Sequence, residues 1–115
     1  MNLFLACEFN GLGGELISMA LVDEDGHSFY EVLTCTHPIP WVVKNVIPKL
    51  AQAPIFLTEF KNKLCLFLNE YTEIHVIGDW AEDLSLFMHS LIIGCRASNA
   101  NTTFYSGTMD RKCVL

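Results

Sequence analysis

The first thirty-three residues constrain the fold more than any other feature. Residues 3–9 alternate, placing Leu3, Leu5, Cys7 and Phe9 on one face and Phe4, Ala6 and Glu8 on the other. "NGLGG" at 10–14 is a turn, residues 16–22 form a second strand, "DEDG" at 23–26 is a second turn, and "SFYEVL" at 28–33 is a third strand. Connections this short dictate an antiparallel meander.

The rest of the chain changes pattern. Pro38, Pro40 and Pro48 forbid a long helix in "HPIPWVVKNVIPKL", leaving a short helical turn or irregular segment. Thr58 is a candidate cap for a helix to about Glu70, with Phe60, Leu64, Phe67 and Leu68 as its apolar stripe. "EIHVI" at 73–77 is a fourth strand, mostly buried. "GDWAEDLSLFMHSLIIG" is a second helix, opened by Asp79, lined by Leu84, Phe87, Met88 and Leu91, and ended at Gly94. "TTFYS" at 102–106 is a fifth strand. A meander followed by α/β crossovers is the order of an α/β, ribonuclease H-like fold, here compact and C-terminally shortened, with no room for a final helix. The 115 residues suit one domain spanning 1–115.

Composition narrows the function classes. The chain is 51% hydrophobic and 17% charged, enough for a real core. No apolar run reaches the roughly 18–20 residues that span a bilayer, and the start lacks signal-peptide features, so a soluble, cytoplasmic protein without membrane contact is expected. Cys7, Cys35, Cys65, Cys95 and Cys113 form no CxxC pair, which predicts free thiols rather than a disulfide framework or a zinc site. "CTH" at Cys35–His37 has no second pair to answer it, and the sequon at Asn101 means little without secretion. The net charge of −6 argues against bulk attraction to nucleic acid. It is compatible with clustered carboxylates that hold phosphate through metal ions.

Two acids stand out. Glu8 and Asp79 each lie near the carboxyl end of a predicted strand, where ligands of α/β sheets bind. If the two strands are neighbours, both acids share one crevice, and paired acids there favour a bound cation such as magnesium or manganese. The bland alternatives are an exposed strand acid for Glu8 and a helix cap for Asp79, since Asp79-x-x-Glu82 has the spacing of a capping box. Glu82 and Asp83 read as solvated helix residues. His27, His37, His75 and His89 show no arrangement that demands catalysis.

"FLACEFNGLGGELISMALV" resembles the first motif of the DEDD 3′–5′ exonucleases, the proofreading-exonuclease and ribonuclease T-like superfamily. Its members read hydrophobic run, Asp-x-Glu-x-x-Gly-Leu, hairpin strand. Glu8, Gly11 and Leu12 match, and the motif aspartate falls on Ala6. "HVIGDWAEDLSLF" resembles the second motif, with Asp79 as its aspartate, and "HPIPWVVKNVIPKL" resembles the connecting segment of small bacterial and phage members. The third motif is not evident; Asp110 is the only late aspartate, and Tyr105 precedes it by one residue more than that motif's spacing.

The resemblance implies hydrolysis at the 3′ end of single-stranded RNA or DNA, with two magnesium or manganese ions held by Glu8, Asp79 and an aspartate at position 6. It implies substrate contacts from Phe9, Asn10, Gly11 and Leu12, with Leu12 as an apolar wedge against the terminal base. Alanine at position 6 removes a ligand and a charge together, so the chain as written is expected to be inactive, through natural loss or through a substitution at an otherwise consistent site. The other reading is a degenerate ribonuclease H-like module that binds nucleic acid or a protein without cutting. A homodimer is compatible with the apolar surface that a missing last helix leaves.

Overall fold

The computed structural model describes residues 1–92, 101–106 and 111–114, with side chains described as far as residue 91. Within these residues the chain is an α/β protein with one mixed sheet. The strands are β1 (Asn2–Phe9), β2 (Leu16–Asp23), β3 (Ser28–Val32), β4 (Glu73–Gly78), β5 (Asn101–Ser106) and β6 (Arg111–Val114). The helices are α1 (Pro40–Asn45), α2 (Leu57–Leu68) and α3 (Ala81–Ile92), with a 3-10 turn at Ile47–Lys49 after α1. No helix among the described residues is long and apolar enough to cross a membrane.

The sheet order is β3-β2-β1-β4-β5-β6. The meander pairs antiparallel, Ala6 opposite Ala20 and Ala20 opposite Tyr30. β1 then pairs parallel with β4, and β4 parallel with β5, while β6 returns antiparallel along β5. The expected meander and crossovers are present, and β1 and β4 are indeed neighbours. β6 was not anticipated; it follows the last strand that the sequence pattern marks.

Two helices cover one face. The apolar stripe of α2, Phe60, Leu64, Phe67 and Leu68, is buried against Leu3, Leu5, Met19, Leu21 and Phe29, and Leu84 and Phe87 of α3 join the same core. Burial of this kind contributes roughly 1.5–3 kcal/mol for each large side chain. The proposed cap is corrected: α2 begins at Leu57 after an extended Phe56, with no side-chain cap bond, so Thr58 lies inside the first turn.

The opposite face is covered only at one end. A register shift at Glu8/Phe9 pairs Glu8 with Ser18 and Phe9 with Leu16, leaving Ile17 as the extra residue of a bulge. Ile17 packs with Val42 and Val46, which seats α1 and its 3-10 turn over the carboxyl end of β1. Pro40 is the first residue of α1 and Pro48 the second of the 3-10 turn, positions whose amides have no partner within the helix. Cys7 and Cys35 are free thiols, as expected, but Cys65 is disulfide-bonded, which corrects the expectation of free thiols throughout.

Candidate carboxylate cleft

Ala6 and Glu8 share the β1 face that α1 overhangs. Both are exposed, and they line a cleft of about 180 Å³ with Ser18, Ala20 and Tyr30 on the sheet side and Asn45 and Lys49 on the overhanging side. The space follows from the floor: Ala6 and Ala20 sit opposite each other, and neither side chain reaches the wall. A larger, mostly apolar cavity of about 330 Å³ lies elsewhere, between Leu16, Leu33, Ile55, Phe56 and Leu86. None of the sequence-selected site residues lines it.

Two further carboxylates, Asp79 and Asp83, stand near Glu8 at the start of α3 but are not among the residues that line the cleft. Parallel pairing of β1 with β4 stops at Leu5 opposite Gly78. Beyond it the β4 side of β1 is open, and the first turn of α3 fills that place. Asp83, in that turn, is 4% exposed, and its Oδ1 has no hydrogen-bond partner among the described residues. Burial pushes its carboxyl up to about 6; a hydrogen bond from the Cys7 backbone opposes this, and the charges of Glu8, Asp79 and Glu82 add to the rise. The Cys7 thiol is pushed far above its usual range, first by burial and then by Asp83 and Glu8, and is a neutral group at physiological pH.

Asp83 therefore corrects the sequence reading of a solvated helix acid. Asp79 is exposed in the connection between β4 and α3, one residue too early to be the helix cap, because α3 starts at Ala81 and the Leu84 amide donates to the Trp80 carbonyl. Asp79 and Glu8 both act on Asp83, so the three acids occupy one neighbourhood. Asp110 lies outside the described residues, and of Tyr105 only its place in β5 is described.

The turn residues divide their roles. Phe9 is half-buried at the end of β1. Asn10 spends its side chain on structure: its Nδ2 donates to the His37 carbonyl and its Oδ1 accepts from the Ile39 amide. Gly11 takes φ +75°, and a β-carbon there would stand 3.1 Å from Ile39 Cδ1. Leu12 is 88% exposed.

The present donor set does not fit a resident divalent metal. Among the described residues no three His, Cys, Asp or Glu side chains are placed to hold one, and Ala6 offers no donor. The chain matches no protein-family model and no curated protein.

Proposed function

We propose that this chain is a ribonuclease H-like domain of the 3′–5′ exonuclease type, built to hold the 3′ end of a single strand of RNA or DNA. In this reading Ala6 leaves the domain able to bind but not to cleave. The single observation that carries it is the open floor at Ala6, beside Glu8 in the cleft at the carboxyl end of β1. A carboxylate at position 6 would stand with Glu8 in a cleft that already has room for it. The strand order β3-β2-β1-β4-β5, antiparallel in the meander and parallel from β1 to β5, supports the fold assignment. Exposed Leu12 supports an apolar contact to a terminal base.

As it stands, the chain's own residues bind and orient. Glu8 presents a carboxylate to the cleft, and the Asp83 carboxyl nearby is pushed up to about 6 by burial. Without a donor at position 6, hydrolysis has no complete site, which favours a non-catalytic binding module for the chain as written.

The test is Ala6→Asp assayed with magnesium or manganese on 5′-labelled single strands of RNA and of DNA. Stepwise shortening from the 3′ end is expected for Ala6→Asp, none for the parent, and none when Glu8→Gln is added. If Ala6→Asp folds but trims neither strand, the exonuclease reading is wrong.

A further inference from the structure

The wall of the cleft carries its own charge. Lys49 closes the 3-10 turn after α1 and lines the cleft together with Ala6 and Glu8. It is exposed, and it forms no ion pair with any described carboxylate, whereas Lys63 is held by Glu31 and Glu59 at 3.4 Å each. In a chain of net charge −6, Lys49 is the one cationic side chain among the described residues lining this cleft, and Glu8 the one carboxylate. The wall is anchored by Val42 and Val46 on Ile17.

We propose that Lys49 is the positioning residue for a backbone phosphate of the strand that occupies this cleft. The inference rests on the single-strand-binding reading above and adds a contact to it. A polyanion entering the cleft meets repulsion from the Glu8 carboxylate on the sheet side. A cation among the lining residues of the overhanging side lowers that repulsion and fixes the strand's path over the Ala6–Ala20 floor. Lysine serves as a point charge here, with a flexible stem that follows the phosphate rather than reading a base. The contact is therefore indifferent to sequence.

The experiment measures binding of a short 5′-labelled oligoadenylate, and of its deoxy counterpart, by fluorescence anisotropy over a range of sodium chloride concentrations. It uses the parent chain, in which Ala6 prevents cleavage. Lys49→Gln is expected to weaken binding about fivefold at low salt and to reduce the slope of log affinity against log salt by about one. Lys49→Arg is expected to restore most of both, and Lys63→Gln to leave the slope unchanged. Parental affinity and slope in Lys49→Gln would overturn the Lys49 contact while leaving the single-strand reading intact. A parent chain that binds neither oligonucleotide overturns both. A preference for one strand chemistry that survives Lys49→Gln supports a sequence-blind phosphate contact and assigns sugar discrimination to other residues.

Discussion

Asn10 holds Ile39 through its side chain: the Ile39 amide donates to Asn10 Oδ1 at 2.8 Å, while Asn10 Nδ2 donates to the His37 carbonyl at 2.9 Å. Because Ile39 immediately precedes α1, this pair ties the β1–β2 turn to the wall of the carboxylate cleft. The turn thus sets where Lys49 and Asn45 stand relative to Glu8. A residue that the resemblance assigns to substrate contact does architectural work with its side chain, and its effect on binding acts through the wall.

The turn tolerates no side chain at position 14. A β-carbon on Gly14 would stand 1.9 Å from the Asn10 carbonyl oxygen and 2.5 Å from its carbon, both backbone atoms. The Gly14 amide also donates to Gly11, and the Asn10 amide to Glu15, so the clash falls on a closed hydrogen-bonded turn. Gly14→Ala is expected to cost about 1–3 kcal/mol, lowering Tm by roughly 4–12 °C in a domain of this size. Thermal unfolding by circular dichroism measures it. A Tm equal to the parent's would show that the turn does not close in this way.

The periodic parts of the structure were legible because period is local. Alternation over residues 3–9 gives β1, and the spacing of Phe60, Leu64, Phe67 and Leu68 gives the buried side of α2. What escaped depends on distant pairing. Thr58 has the chemistry of a cap, but the chain reaches α2 in extended form at Phe56 and starts the helix a residue before it. Asp83 was misread because first-turn acids usually face water. Its burial follows from β4 ending opposite Leu5, which leaves the β1 edge to α3. One local signal was present: Asp83 lies four residues before Phe87 and eight before Leu91, on the stripe that packs inward. Lys49 offered none, since its meaning comes only from the cleft it lines.

A second prediction concerns the far end of the sheet. The Tyr71 hydroxyl donates to Asp23 Oδ2 at 2.8 Å, and Asp23 Oδ1 accepts from the amides of Asp25 and His27 at 2.9 Å each. Burial alone would raise the Asp23 carboxyl, but these bonds, with Tyr71 foremost, hold it below its ordinary value. A lowered folded-state pKa contributes stability above the unfolded value, and that contribution is lost as pH falls through the folded one. Tyr71→Phe is expected to lower stability at neutral pH and to start acid unfolding at a higher pH than in the parent. Circular dichroism during acid titration measures the onset, and carbon NMR of the Asp23 carboxyl measures its pKa. An unchanged acid onset and carboxyl pKa would remove the bond from the account.

Asp83 carries the opposite sign. Its folded carboxyl titrates near 6 against an ordinary value of 3.8. Between these limits the native chain keeps a proton that the unfolded chain has released, so stability falls as pH rises through this window and stays reduced above it. A shift of about two pH units corresponds to roughly 3 kcal/mol at most. Asp83→Asn keeps the shape and removes the charge. It is expected to be about 1–3 kcal/mol more stable than the parent at pH 8, nearly equal to it at pH 4, and flat between. Urea midpoints taken across that range decide the matter. If the two chains run parallel throughout, Asp83 is ionised and satisfied in the folded state.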